Sequence, residues 1–154
     1  MFAHNDIVIN APRAVVWNYL VHAEQWPQWN SEAKRVHIRG RVSVLQKNTI
    51  FNWFSFDVPW HEDYYVVLRS QVVEYDPENR IAWSSHRNDS PWGTSTFYHT
   101  FLLTSLGPGK CSVVFEAVAT GFSMMRVRMN MPEIMHFVHD VWLHALKRAS
   151  ESGP

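Results

Sequence analysis

The chain has 154 residues, which is enough for one domain with a sizeable core and too short for a second full core. Its 14 basic and 14 acidic residues cancel, so no net charge attracts the protein to nucleic acid or to an anionic membrane. The single cysteine excludes a disulfide framework and a thiolate metal cluster.

The first 30 residues predict a strand followed by two short helices. Ile7–Ile9 is a short run of β-branched residues that favours a strand. Pro12 suits the first turn of a helix, because its missing N–H would have no partner there. Apolar residues recur at helical spacing over Val15–Leu20, and residues 24–30 predict a second short helix or an aromatic turn.

From Ala33 to Thr120 the hydrophobic period changes to two, which predicts about six antiparallel strands with short connections. Turn residues at 76–79 and at 107–109 separate strands. The remaining connections include a loop at 88–93 and a polar run at 57–63, which we interpret as a solvated turn. The predicted strands are residues 34–38, 49–56, 64–72, 80–83, 96–103 and 112–120.

The last segment predicts one long helix from Met131 to about Ser150, preceded by an irregular loop at 124–129. Pro132 is favoured in the first turn, and apolar residues then follow a three-four spacing. A helix of about 20 residues is about 30 Å long, enough to cross a whole sheet. The apolar stripe consists of Met131, Met135, Val138, Trp142, Ala145 and Ala149.

Together these elements predict an α+β fold, in which a curved antiparallel sheet of six to seven strands wraps around the long C-terminal helix. Two short helices follow the first strand. A single helix cannot cover such a sheet completely, so we expect a wedge-shaped pocket along one side. Residues 1–150 would form this single domain, and residues 151–154 would be a frayed tail.

Several short motifs occur in one order along nearly the whole chain. They are Ile9–Trp17, Trp26–Trp29, Phe51–Trp53, Val72–Pro77, Ile81–Trp83, Tyr98–His99, Glu116, Gly121, Trp142–Leu143 and Leu146–Lys147. In this order they resemble the SRPBCC superfamily of START-like, birch-pollen-allergen-like helix-grip proteins, which includes a polyketide cyclase/dehydrase branch. The resemblance implies an internal hydrophobic cavity, ligands ranging from lipids and sterols to polyketides, and no cofactor or obligatory metal.

One face of each predicted strand should point toward the C-terminal helix, because side chains alternate along a strand. Aromatic residues make up 14% of the chain, and large aromatic side chains often line concave apolar sites. Ordinary core packing is the alternative for each of them. The predicted ligand-binding residues are Phe51, Trp53, Leu68, Trp83, Phe97, His99, Phe101, Phe115, Met131, Met135 and Val138.

His99 is the candidate catalytic residue. It has the same parity as Phe97 and Phe101, so it should lie on the apolar inner face. A histidine there needs a hydrogen-bond partner and can titrate near neutral pH. It could orient a ligand carbonyl or act as a general acid or base, and the alternative is a structural histidine bonded to a neighbouring strand.

His136, His139 and Asp140 have a spacing that can bind a metal from one helix. No second cluster accompanies them, and His139 and Asp140 lie off the predicted apolar stripe, so we predict no metal site. No triad with a nucleophile elbow and no phosphate-binding glycine loop is present.

Three functions fit this sequence. The first is a binding module for a hydrophobic or aromatic small molecule, lipid-like or polyketide-like. The second is a polyketide cyclase/dehydratase in which His99 moves a proton, and the third is a protein-interaction module. We expect a cytoplasmic monomer or weak homodimer without nucleic-acid partners, because no signal peptide and no membrane-spanning apolar run is evident.

Overall fold

The computed structural model describes residues 1–56, 65–87, 95–121 and 131–153. The chain has an α+β fold with a long C-terminal helix, as predicted. The polar run at 57–63, the loop at 88–93 and the segment 124–129 lie outside the described residues. The elements are β1 (Phe2–Ile9), α1 (Arg13–Val21), a short 3₁₀ helix (Ala23–Gln25), α2 (Trp26–Trp29), β2 (Ala33–Ile38), β3 (Ile50–Phe56), β4 (Tyr65–Asp76), β5 (Arg80–Arg87), β6 (Ser95–Gly107), β7 (Lys110–Gly121) and α3 (Met131–Ser152).

The seven strands form one antiparallel sheet in the order β1-β7-β6-β5-β4-β3-β2. The chain meanders from β2 to β7, and β1 pairs with β7 along its whole length. This confirms the predicted helix-grip fold. The strands are longer than predicted at several ends, because pairing with a neighbour continues beyond the residues that alternate most clearly.

A bulge changes the orientation of β4 near its end. The register with β5 shifts between Val72 and Glu74, which places two successive residues on the same side of the ladder. As a result Tyr75 packs toward the core, where its ring lies 5.5 Å from the ring of Trp17 in α1. The bulge thus ties the end of β4 to the first helix.

The core between the sheet and the helices is aromatic. Trp26, at the start of α2, is completely buried and donates a hydrogen bond from Nε1 to the carbonyl of Leu20 at 3.1 Å. Its ring lies 5.0 Å from that of Trp142 in α3. Buried indoles need such a partner for their N–H, and this bond fixes α2 against the end of α1.

α3 lies along β1, whose outer edge has no strand partner among the described residues. Asn5 donates to the Asp140 carboxylate at 2.8 Å, and Lys147 donates to the main-chain oxygen of Val8 at 2.8 Å. Such cover protects an edge from pairing with another chain. The main-chain N–H of Asn10 donates to the carboxylate of Glu151 at 2.7 Å.

α3 extends to Ser152, two residues beyond the predicted end near Ser150, and Glu151 in this last turn contacts Asn10. Residues 151 and 152 therefore belong to the helix and not to the tail that the sequence predicted. None of the helices in the described ranges is long and apolar enough to cross a membrane.

Candidate functional site

The candidate site lies toward one end of the sheet. β3 ends and β4 begins at this end, where Phe56 is opposite Tyr65. β5 also ends and β6 begins there, where Arg87 is opposite Ser95. β7 also ends there, before the chain continues to α3. The opposite end is closed by α1, whose residues Val16 and Leu20 are completely buried in the core.

His99, in β6, lies on the inner face as its parity predicted. Its ring stacks on Trp83 at 5.6 Å between centroids, and Phe115 is 6.0 Å away. The rings of Trp53 and Phe97 lie 6.2 and 6.1 Å from it. His99 is partly buried as a residue, but its Nδ1 is completely buried and has no hydrogen-bond partner among the described residues.

Burial lowers the pKa of His99 to about 3, and the nearby His139 lowers it further in the same direction. A charged imidazolium is costly in an apolar environment, which is the reason for the shift. At neutral pH the ring is therefore neutral, with one nitrogen that donates and one that accepts a hydrogen bond. This excludes a positively charged His99 at physiological pH.

His139 is a site residue that the sequence prediction placed wrongly. We expected it off the apolar stripe, but it is 3% exposed and stacks on Phe115 at 3.9 Å between ring centroids. The buried surface of α3 consists of adjacent pairs such as Trp142 and Leu143, so it is wider than a single row. His139 follows Met135 by four residues, and this helical spacing could have predicted that its side chain is buried.

The environment of His139 resembles that of His99. Burial lowers its pKa to about 4; the neighbouring His136 lowers the pKa of His139 further, while Asp140 acts in the opposite direction. The site thus holds two neutral imidazoles against one aromatic wall. Two neighbouring neutral imidazoles can exchange hydrogen bonds with a polar group of a ligand.

His136 and Asp140, in contrast, are on the exposed side of α3. His136 Nδ1 lies 2.7 Å from Oδ1 of Asn5, and the Asp140 carboxylate accepts from the same side chain. His139 points the other way, into the core. The three potential ligands therefore do not converge, and no group of three metal-ligating side chains occurs in the described part of the chain.

A short line of hydrogen bonds crosses the inner face next to His99. Trp53 Nε1 donates to Ser70 Oγ at 3.1 Å, and this oxygen lies 2.6 Å from Ser85 Oγ. Both serines are buried, and the prediction did not include them. Their parity with Leu68 and Trp83 places them on the same face. The prediction omitted them because it selected mainly apolar residues for that face.

The other predicted ligand-binding residues divide into two groups. Phe51 and Phe101 are completely buried in the aromatic core, where Phe101 stacks on Phe115 at 4.1 Å. Phe97 and Val138 are only partly buried. The predicted residues that are buried on the inner face of the sheet are Phe51, Trp53, Leu68, Trp83, Phe101 and Phe115, and Met135 is buried on α3. The side chain of Met131 lies outside the described residues.

A family model described as polyketide cyclase/dehydrase and lipid transport matches residues 3–151. The chain belongs to this family. This confirms the predicted membership of the START-like SRPBCC superfamily, in its polyketide cyclase/dehydrase branch. A comparison with curated protein sequences gives no significant match.

Solved structures similar to this family member share its fold. A hypothetical protein from Helicobacter pylori is 18% identical, with a TM-score of 0.83 over 97% of this chain and 88% of that one. The Zhui aromatase/cyclase from Streptomyces sp. R1128 is 14% identical, with a TM-score of 0.79 over 98% and 93%. A START superfamily protein from Mycobacterium smegmatis is 13% identical, with a TM-score of 0.72 over 98% and 97%.

Proposed function

We propose that this protein binds a neutral, largely aromatic or otherwise hydrophobic small molecule between the inner face of the sheet and α3, with an oxygen atom of the molecule at His99 and Trp83. The observation that carries the proposal is that His99 Nδ1 and Trp83 Nε1 are both buried and have no hydrogen-bond partner in the described ranges. Leaving such groups unpaired costs about 1 to 3 kcal/mol each.

The two rings that carry the unpaired groups are neighbours, because Trp83 and His99 stack at 5.6 Å between centroids. An indole N–H only donates, and a neutral imidazole nitrogen donates in one of its tautomers. A carbonyl or hydroxyl oxygen accepts from such donors. The surrounding rings of Trp53, Phe97 and Phe115 would contact the apolar part of the molecule. Family membership supports the same class of ligand.

The electrostatics of His99 favour binding over proton transfer. A general base works best when its pKa is near the working pH, whereas burial lowers the pKa of His99 to about 3. At neutral pH the ring therefore orients a ligand oxygen without taking a proton from it. The cyclase/dehydratase alternative requires this pKa to rise substantially when the substrate binds.

A matched pair of tricyclic probes tests the proposal. N-phenyl-1-naphthylamine should bind with a saturable rise in fluorescence, and 9-fluorenone should displace it at about one-tenth of the concentration that fluorene requires, because only the ketone accepts a hydrogen bond. His99→Phe, which keeps an aromatic ring, should reduce this preference to about twofold or less.

His37→Phe is the control, because the His37 side chain is 73% exposed on the far strand β2. This substitution should leave the affinities for both probes unchanged. Absence of saturable probe binding, or equal affinity of the wild type for the ketone and the hydrocarbon, would contradict the proposal. Conversion of a linear poly-β-ketone by the wild type but not by His99→Phe would favour the cyclase instead.

A further inference from the structure

A second group of unpaired polar atoms lies where α2 joins β2. Asn30 is 1% exposed and Glu32 is 6% exposed, so both side chains are almost completely buried. Asn30 Nδ2, Glu32 Oε2 and Trp29 Nε1 are buried without a hydrogen-bond partner among the described residues. Polar atoms in a protein interior nearly always have a hydrogen-bond partner, so three unpaired polar atoms within four consecutive residues need an explanation.

The local backbone fixes the Asn30 side chain. Its Oδ1 accepts a hydrogen bond from the main-chain N–H of Glu32 at 3.0 Å, and its own N–H closes α2 by donating to the carbonyl of Trp26 at 2.8 Å. Since the amide oxygen is used, the two hydrogens of Nδ2 remain for another group. The arrangement is held in place before any ligand arrives.

Trp29 connects this group to the aromatic core. Its ring lies 5.9 Å from that of Trp142, which in turn lies 5.8 Å from Trp53 and 6.1 Å from Phe115. Trp53 and Phe115 are two of the four rings that surround His99. Trp29, which precedes Asn30 in the chain, is therefore linked through Trp142 to the aromatic rings that contact His99.

Burial raises the pKa of Glu32, and the positive charge of Lys34 only partly opposes this. A carboxyl in such a position is costly to keep without a partner. The three unpaired atoms are one hydrogen-bond acceptor, Glu32 Oε2, and two donors, Asn30 Nδ2 and Trp29 Nε1. A hydroxyl group, which donates one hydrogen bond and accepts others, satisfies both kinds.

We propose that Asn30 and Glu32 form a polar subsite for a hydroxyl group of the bound molecule, an inference that rests on the binding function proposed above. The hydroxyl donates to Glu32 Oε2 and accepts from Asn30 Nδ2, with Trp29 Nε1 as a second donor. A carboxylate is repelled by Glu32, and an ammonium group offers no acceptor to the two N–H donors. The protein therefore selects neutral hydroxylated molecules, such as phenols and alcohols, over charged amphiphiles.

The test compares 2-naphthol with 2-methoxynaphthalene as competitors of N-phenyl-1-naphthylamine. Methylation removes the donated hydrogen and keeps the ring and the oxygen. The wild type should bind the naphthol about 10-fold more tightly or better, since a site built for a hydroxyl rejects an analogue that lacks it. Glu32→Met removes the acceptor at similar size and should bring the two affinities within about twofold.

A stability measurement accompanies the binding measurement. Because Glu32 Oε2 is buried without a hydrogen-bond partner among the described residues, Glu32→Met should raise the melting temperature by about 4 °C or more. Glu116→Met, on the outer face of the sheet, is the control and should leave the naphthol preference unchanged. Should Glu32→Met fold poorly, Glu32→Gln serves instead, and it should lower the preference about threefold because an amide oxygen is a weaker acceptor.

The outcomes separate the two proposals. If N-phenyl-1-naphthylamine does not bind the wild type, the binding function itself is wrong. If it binds but the wild type shows no naphthol preference, or a folded Glu32 variant keeps the full preference, the hydroxyl subsite alone is overturned. Loss of the preference together with a higher melting temperature supports the subsite.

Discussion

Replacement of Trp26 by alanine should lower the free energy of unfolding by about 3 to 5 kcal/mol, the usual cost of removing a large buried aromatic side chain. Trp26 is completely buried, and four aromatic rings lie within 6 Å of it, those of Phe51, Trp53, Trp83 and Trp142. The cavity that Trp26→Ala would leave cannot collapse easily, because each of the four surrounding rings also packs against other residues. The substitution also leaves the carbonyl of Leu20 without its donor.

Urea unfolding followed by circular dichroism measures this effect. Phe2→Ala is the control, because Phe2 is 57% exposed and its loss should change the free energy of unfolding by about 0.5 kcal/mol or less. Trp26→Phe keeps an aromatic ring, so its loss in the free energy of unfolding should lie between those of Trp26→Ala and Phe2→Ala. A loss below about 1 kcal/mol for Trp26→Ala would mean that α2 contributes little to the core.

The stability of the protein should fall as the pH decreases below about 6.5, by about 1.4 kcal/mol per pH unit for each of the two buried histidines. In the folded protein their pKa values are lowered to about 3 for His99 and about 4 for His139. In the unfolded chain both have ordinary values near 6.5. The unfolded state therefore takes up protons first, so the stabilisation is complete above pH 6.5 and is lost progressively toward pH 4.

Urea midpoints measured between pH 7 and pH 4.5 give this slope. The double variant His99→Phe/His139→Phe should have a much shallower slope, since neither position then takes up a proton on unfolding. His37→Phe should behave like the wild type, because its ring is exposed in the folded protein. An unchanged slope in the double variant would show that other groups cause the acid sensitivity.

The sequence predicted the fold because two periodicities dominate it. Alternation along the strands and a three-four spacing along α3 each reflect burial of one face, and burial contributes most of the stability. The same alternation placed His99 on the inner face. Between Val72 and Glu74 the bulge inverts the alternation, and no feature of the sequence marks that point.

The candidate site was less predictable. His139 was missed because a narrow stripe describes a coiled-coil seam better than the broad buried surface of a helix against a sheet. Asn30 and Glu32 lie in a connection of three residues, where neither periodicity applies and the burial of a side chain depends on tertiary packing alone. Polar residues in such connections are normally exposed, so their sequence gave no reason to expect burial.

The position of β1 has a consequence for how the chain acquires its structure. Among the strands that the structure describes, β1 pairs only with β7, and α3 covers its other edge. One hydrogen bond there, between Asn10 and Glu151, joins residues 141 positions apart. Within this domain β1 can therefore pair and be covered only after β7 and α3 have been synthesised. Contacts of such high sequence separation slow folding, because a long loop must close before they form. On the ribosome, β1 should therefore stay unpaired until nearly the whole domain has emerged.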